Sequence, residues 1–275
     1  MTWPSHTSSN RDLCGVGLRP APSSGGASFS LRRALARHLC GVSLRPAPFL
    51  LLAVSLHAAI VSGTIELRAS RIASVARGKD YSGVVVSLQP VNQPITAAPE
   101  KHAVMLQKNK MFTPHILPVI AGTRIDFPNA DPIFHNAFSS YSGQIFDIGL
   151  YPPGQSRSVR FERPGIVRVF CNIHPTMSAI ILVLTTPYFV VTPRGGGFHL
   201  DVPPGSYDLA VFHERATEPS LQALSRRILV TPDGVSLPPI AVSEAGYLIA
   251  PHKNKYGKDY TQPPDDNAFY PSTHP

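Results

Sequence analysis

Residues 169–181 read Val169-Phe170-Cys171-Asn172-Ile173-His174-Pro175-Thr176-Met177-Ser178-Ala179-Ile180-Ile181. Apolar and β-branched residues flank a short polar stretch, a pattern typical of two strands joined by a loop. Within the loop, Cys171, His174 and Met177 are spaced three residues apart, so one turn can direct a thiolate, an imidazole and a thioether at a single point. The stretch therefore predicts a β fold with a candidate metal site at the end of a hairpin.

The fourth donor must come from another part of the chain. His135 is the candidate, because it ends the turn Asp131-Pro132-Ile133-Phe134-His135-Asn136 and begins a run that can pair into the same sandwich. Two imidazoles, one thiolate and a weak thioether form the ligand set of a blue-copper centre, in which methionine is axial. Zinc would ordinarily take a harder or thiolate ligand in place of methionine. The donor set therefore selects one copper ion.

The rest of the chain between residues 64 and 242 alternates short β-rich runs with proline and glycine turns. The predicted strands include 84–88, 123–127, 158–161 and 165–170. Such spacing is typical of antiparallel β-sandwiches. One short helix is predicted at 221–227. Beyond Glu244 the chain is rich in proline, tyrosine and charge, which predicts a tail that is poorly ordered or wraps the surface.

The residues around both halves of the candidate site resemble those of a known family. Phe127-Pro128-Asn129-Ala130-Asp131 through His135-Asn136, with the C-x-x-H-x-x-M loop, resembles the cupredoxins, with the ligand spacing of amicyanin. Residues 104–212 are similar to the plastocyanin-like bacterial proteins called methylamine utilization proteins. The resemblance implies a Greek-key cupredoxin sandwich that carries single electrons between protein partners, such as a dehydrogenase or a cytochrome c, and that is not an enzyme.

The resemblance also implies roles for individual residues. His135, Cys171 and His174 would be the equatorial copper ligands and Met177 the axial one. The backbone amide of Asn136 would donate to the thiolate, while its side chain would tie the two ligand loops together. Pro175 would stiffen the loop after His174, whose exposed edge would be the exit for the electron.

A second resemblance begins after residue 185. The run Val202-Pro203-Pro204-Gly205-Ser206-Tyr207 and its neighbours resemble the carboxypeptidase-regulatory, transthyretin-like sandwich, which carries no catalytic residues. The resulting division is a leader at 1–63, a cupredoxin-like domain at 64–186, a small β-sandwich at 187–243 and a tail at 244–275. The small sandwich is predicted to serve structure or docking.

The leader accounts for most of the positive charge. Residues 1–63 hold six arginines and one acid, which is +5 of the total of +8, so the charge gives no reason to expect nucleic-acid binding. A basic stretch precedes the apolar run 49–61 and small residues at Ser62 and Gly63, the layout of a signal peptide with cleavage near Gly63/Thr64. This layout predicts export to the periplasm, with no stable membrane span after cleavage. The alternative is an uncleaved membrane anchor. A motif at 13–22 recurs at 39–48 and is predicted not to fold.

Other functions fit parts of the pattern. A copper carrier or chaperone would use the same ligands, and an adhesion or scaffold module would use the sandwiches alone. A Cys171/His174 nucleophile ranks last, because the sequence offers no evident oxyanion donors or orienting acid. Lys101, Lys108 and Lys110 form a solvated face or a docking patch for an acidic redox partner. The sequence leaves the oligomeric state open.

Overall fold

The computed structural model describes residues 58–95, 102–140, 143–248 and 252–260. These ranges all belong to one compact unit, Val54–Pro275. Most of the predicted leader, with its repeated motif, lies outside the described residues, as do Lys101 and the end of the tail from residue 261. Within the described ranges, neither helix has the length and apolar character needed to cross a bilayer.

Strands make up most of the regular structure, so the all-β prediction is confirmed. The described helices are α1 (Ala73–Ala76) and α2 (Glu218–Gln222). The strands are β1 (Ala59–Arg68), β2 (Val85–Pro90), β3 (His102–Val104), β4 (Leu106–Lys108), β5 (Met111–Thr113), β6 (Ile116–Ile120), β7 (Thr123–Pro128), β8 (Phe138–Ser139), β9 (Phe146–Asp147), β10 (Ser156–Phe161), β11 (Gly165–Phe170), β12 (Ser178–Leu184), β13 (Phe189–Val191), β14 (Gly197–Val202), β15 (Gly205–Phe212), β16 (Arg226–Val230), β17 (Val235–Ser236) and β18 (Ile240–Ser243).

The middle of the chain, residues 102–184, forms what we call the central sandwich. One of its sheets has the strand order β6-β12-β11-β8-β9 and the other the order β10-β7-β3, with the hairpin β4-β5 beside them. Alternate residues of β7 point inward, so Ile125 and Phe127 are fully buried against Val167 and Val169 of β11. This period of two is what a sheet with one buried face requires. The core that results extends to Cys171 and Met177.

The two ends of the described chain form a second core, which we call the outer sandwich. Residues 58–95 and 185–248 supply its sheets, with strand orders β14-β1-β17 and β13-β2-β15-β16, while β18 also pairs with β1. Ala59, Val61, Ile65 and Leu67 of β1 are buried in this core. Gly63 permits the close packing, because a Cβ atom there would lie 2.7 Å from Cζ of Phe198. The central sandwich is thus inserted between β2 and β13 of the outer one.

This division of the cores differs from the predicted domain limits. The expected boundary at residue 64 falls inside β1, and residues 59–63 of the expected leader pair with residues 198–202 of β14. The expected cupredoxin-like domain at 64–186 takes in β1 from residue 64 and all of β2, both of which pack in the outer core. The physical reason is that an apolar strand and the end of a signal peptide have the same local composition. Which sheet a strand joins depends on residues more than a hundred positions away.

The predicted helix at 221–227 is also displaced. Helix α2 spans Glu218–Gln222 with proline in its first turn, and β16 already begins at Arg226. Proline is favoured at the start of a helix, which explains the earlier beginning. Pairing with β15 explains the earlier end, since Arg227 lies opposite Asp208 and donates two hydrogen bonds to its carboxylate.

A small apolar cluster joins the two sandwiches. It consists of Val85 of β2, Ile116 of β6 and Leu182 of β12. Beside it, the Nε2 atom of His115 lies 2.7 Å from a carboxylate oxygen of Glu214. Strand β12 therefore buries residues on both of its faces, one toward the central core and one toward the outer sandwich.

Candidate metal centre

The loop that carries the predicted sulfur and nitrogen donors closes the β11–β12 hairpin. Phe170 and Ser178 are the last paired residues of the two strands. Across the loop, the N–H of Cys171 donates to the carbonyl of Met177 over 3.2 Å, and the N–H of Met177 donates to the carbonyl of His174 over 3.1 Å. These two bonds fold the loop onto itself, so that Cys171 and Met177 both enter the central core with no exposed surface.

His135 reaches the same point from the segment between β7 and β8. An antiparallel bridge to Tyr151 holds its backbone, with hydrogen bonds of 3.2 and 2.9 Å in the two directions. Tyr151 is itself buried and donates its hydroxyl to the carbonyl of Phe127 over 2.7 Å. The backbone of His135 is therefore fixed by the sandwich.

Three donor atoms converge between these segments. The Nδ1 atoms of His135 and His174 lie 3.1 Å apart, and the Sγ atom of Cys171 lies 3.9 Å from the first and 3.6 Å from the second. Donors that share one ion through bonds of about 2.0–2.3 Å have separations of this size. His135 is 0% exposed, Cys171 0% and His174 6%, so the exposed edge that was expected of His174 is almost entirely covered. The geometry therefore fits a single metal ion bound by two imidazoles and one thiolate.

Met177 lies in the same buried cluster as Cys171. Its thioether is the fourth predicted donor, and its backbone is tied to both Cys171 and His174 by the bonds across the loop. A set of two nitrogens, a thiolate and a buried thioether matches the preference of copper better than that of zinc. The residues present thus fit copper on the chemistry of their donors.

Asp131 is a part of the site that the sequence analysis missed. Its Oδ2 atom lies 2.8 Å from Nε2 of His135, and the two side chains are both buried. A carboxylate accepts only, so the shared proton belongs on Nε2, and this leaves the lone pair of Nδ1 for the metal. The arrangement is the carboxylate–histidine–metal relay that orients ligands in many metal sites. The only local signal was an aspartate four residues before the histidine, which is not specific.

The backbone of the β4–β5 turn holds Asp131 in turn. The amides of Asn109 and Lys110 donate to its two carboxylate oxygens over 2.5 and 2.8 Å. Burial alone would raise the pKa of Asp131, but the hydrogen bonds from Lys110, His135 and Asn109 outweigh it, so the pKa is lowered. The carboxylate is therefore kept charged where it accepts the proton of His135.

Asn136 lies between the two ligand loops. Its Oδ1 atom accepts a hydrogen bond of 2.6 Å from the amide of Asn172, the residue after Cys171. Burial raises the pKa of the Cys171 thiol, while the backbone amides of Asn136, Ile173 and His174 act in the opposite direction. Donors aimed at the sulfur favour the thiolate, which is the form that binds metal. Pro175 follows His174, and its carbonyl accepts a hydrogen bond of 2.7 Å from His252.

Several other histidines and methionines of the described residues lie away from this cluster. His102 pairs with Asp126, His115 with Glu214 and His213 with Glu244. His199 belongs to β14 of the outer sandwich. Met105 is a core residue of the central sandwich, and Met111 is 55% exposed on β5. Lys108 is exposed at the end of β4, beside the turn that holds Asp131.

Solved structures match about a third of this chain. No protein-family model matches the sequence, and no curated protein matches it. Among solved structures, the copper-containing nitrite reductase (NirK) from Thermus scotoductus SA-01 is 25% identical over 35% of this chain, with a TM-score of 0.30. This chain covers only 25% of that reductase.

Two smaller proteins are matched over nearly their whole length. The purple cupredoxin from Nitrosopumilus maritimus is 20% identical, with 31% of this chain and 100% of that chain covered and a TM-score of 0.28. A reduced amicyanin mutant is 18% identical, with 36% and 98% covered and a TM-score of 0.29. Scores this low identify no family. In this chain, the donor atoms of His135, Cys171 and His174 all lie within 4.8 Å of one another.

Proposed function

We propose that this chain is a type 1 (blue) copper protein that carries single electrons. His135, Cys171 and His174 would be the three strong ligands, and Met177 the weak axial one. The observation that carries the proposal is the convergence of two Nδ1 atoms and one Sγ atom at 3.1, 3.6 and 3.9 Å in a buried position. Bound copper would supply a one-electron couple between Cu(II) and Cu(I).

The chain's own residues suit such a couple because they hold the donors before the metal binds. Asp131 fixes the tautomer and the ring of His135, and Asn136 links the segment of His135 to the loop of Cys171. The central core, which includes Cys171 and Met177, restricts movement of the sulfur donors. A site whose ligands move little between two oxidation states reorganises little, which favours rapid electron exchange.

Burial of the donors favours an electron carrier over a copper carrier and over a copper enzyme. A copper carrier hands over its ion through ligands that a partner can reach, whereas the three donors here are between 0% and 6% exposed. A copper enzyme would need an open coordination position on the metal for its substrate. The predicted fourth ligand, Met177, is instead fully buried in the same cluster as Cys171. We therefore keep the non-enzymatic prediction as part of the proposal.

The wider assignments are proposals of the same kind. The basic stretch and the apolar run of the leader support export to the periplasm. Cleavage near Gly63/Thr64 would remove residues 59–63 of β1, so we place any cleavage before Ala59. Cys171 is a free, buried thiol, as a metal ligand would be. We propose a protein redox partner of the dehydrogenase or cytochrome c type. We also propose that the central sandwich is the cupredoxin domain, related to methylamine utilization proteins, and that the outer sandwich is the carboxypeptidase-regulatory-like module.

Titration of the purified chain with Cu(II) tests the function. One equivalent should produce an intense thiolate-to-copper absorption band, because a short bond between copper and a thiolate gives strong charge transfer. The band should be absent in Cys171→Ser. If the wild-type chain stays colourless at saturation, the proposal is wrong.

The axial role of Met177 can be tested with a matched pair of substitutions. Met177→Leu and Met105→Leu both replace a fully buried methionine of the same core with an isosteric side chain. Loss of a thioether donor destabilises Cu(II) more than Cu(I), so Met177→Leu should raise the reduction potential. Met105→Leu should leave the potential unchanged. Equal potentials in the two variants would remove Met177 from the ligand set.

A further inference from the structure

Residues 252–260, which we call the C-terminal segment, lie on the outer side of the ligand loop. The ring of His252 stacks on Phe170, the residue before Cys171, with centroids 4.1 Å apart and planes 26° apart. The Nε2–H of His252 donates to the carbonyl of Pro175 over 2.7 Å. The segment therefore contacts the loop on both sides of His174.

Tyr260 holds the beginning of the same loop. Its hydroxyl donates to the carbonyl of Cys171 over 2.7 Å, across 89 residues of sequence. The rings of Tyr260 and His252 meet edge to face at 5.1 Å, and the phenol oxygen lies 3.1 Å from Nδ1 of His252. Together the two side chains span the loop from its first residue to Pro175.

Lys255 extends the contact to the segment that carries His135. Its backbone N–H donates to Oδ1 of Asn172 over 3.0 Å, and its ammonium lies 2.8 Å from Oδ2 of Asp147. The other oxygen of Asp147 accepts from the side chain of Asn136 over 3.5 Å. The segment thus contacts the loop of Cys171 directly and is linked to the segment of His135 through Asp147.

The segment has internal structure that makes this docking favourable. Asn254 and Lys258 form a closed turn, in which the amide of Asn254 donates to the carbonyl of Lys258 over 2.9 Å. The side chain of Asn254 accepts from the amides of Tyr256 and Lys258, and Lys253 pairs with Asp259. A segment that is already folded loses less conformational entropy when it docks.

We infer that Tyr260, supported by His252, is a positioning residue of the metal centre. The bond to the Cys171 carbonyl orients the peptide that carries the thiolate, and the bond to the Pro175 carbonyl closes the loop that carries His174. The identity of the metal rests on the proposed function. The hydrogen bonds that hold the ligand loop closed do not depend on it. Their effect should therefore be measurable in the metal-free protein.

The test compares three full-length proteins: wild type, Tyr260→Phe and Tyr256→Phe. Tyr256 belongs to the same segment but is 70% exposed, so its variant is the matched control. In the metal-free proteins, the rate at which iodoacetamide labels Cys171 is measured by mass spectrometry of the peptide that contains it. Tyr260→Phe should raise this rate about two- to ten-fold, the effect of one hydrogen bond on a local opening equilibrium. Tyr256→Phe should match the wild type.

A spectroscopic measurement separates positioning from general stability. With copper bound, Tyr260→Phe should shift the thiolate-to-copper band and the reduction potential, two properties that a loss of stability alone would not change. His252→Ala, which removes both the Phe170 stack and the Pro175 bond, should increase the labelling rate at least as much. Labelling rates equal to those of the wild type in both variants would overturn the inference. An absent copper band with altered labelling would instead count against the proposed function alone.

Discussion

The carboxylate of Asp131 lies 2.8 Å from Nε2 of His135, with both side chains buried. Two backbone amides of the β4–β5 turn hold that carboxylate in place. His135 therefore presents its Nδ1 atom toward Cys171 and His174 before any ion arrives. The site depends on this fixed imidazole as much as on the donor atoms themselves.

Asp131→Asn should weaken copper binding without abolishing it. Asparagine can still accept the Nε2–H of His135, but the negative charge that raises the basicity of the ring is lost. The dissociation constant for copper should rise about 10- to 100-fold, the usual effect of removing such a partner. Competition with a chelator of known affinity measures it. Asp126→Asn is the control, because that carboxylate bonds His102 and Ser158 instead. Unchanged affinity in Asp131→Asn would refute the role of the carboxylate.

Asn136→Ala should destabilise the metal-free protein. The amide of Asn172 loses its acceptor in a partly buried position. A donor left without a partner costs about 1–3 kcal/mol of unfolding free energy, which denaturant titration can resolve. Gln222→Ala, at an exposed position on α2, should cost less than about 0.5 kcal/mol. If the two variants unfold alike, the link between the ligand loops contributes nothing to stability.

The membership of residues 59–63 in the outer sandwich can be tested at neighbouring positions. Val61 is 0% exposed and Ile60 is 54% exposed, on opposite faces of β1. Val61→Ala should lower the unfolding free energy by about 2 kcal/mol, since it removes buried methyl groups and leaves a cavity. Ile60→Ala should lower it by less than about 1 kcal/mol. If both substitutions lower the unfolding free energy by the same small amount, residues 59–63 do not belong to the outer sandwich.

The pair between His115 and Glu214 should make stability depend on pH. The hydrogen bond to Glu214 raises the pKa of His115 above its ordinary value of 6.5, although burial opposes the shift. Its stabilisation is therefore full below pH 6.5 and is lost as the pH rises through the folded-state pKa. Unfolding at a series of pH values from 5.5 to 8.5 should show this loss in the wild type and not in His115→Gln. His199→Gln, on the exposed face of β14, should behave as the wild type does.

Individual strands could be predicted from the sequence because strand formation depends on neighbouring residues. The runs at 123–127 and 158–161 fall inside β7 and β10, since alternation of period two is a local property. Sheet membership could not be read in this way. β1 joins residues 59–68 to β14, β17 and β18, and nothing within β1 specifies those partners.

The same distinction holds for the site. Cys171, His174 and Met177 were recognisable because seven residues of sequence contain all three. Asp131 was missed because one acid near one histidine is a common pattern. Tyr260 was missed because its bond to Cys171 joins residues 89 positions apart. A tail rich in proline and tyrosine gives no local sign of where it will lie.

His135, Cys171 and His174 are proposed to bind one copper ion together. X-ray absorption spectroscopy at the copper edge, on the purified chain loaded with one equivalent, tests this most directly. We expect a short copper–sulfur bond and two imidazole nitrogens in the same shell, with the short sulfur contribution lost in Cys171→Ser. A shell of nitrogen and oxygen alone in the wild-type chain would contradict it.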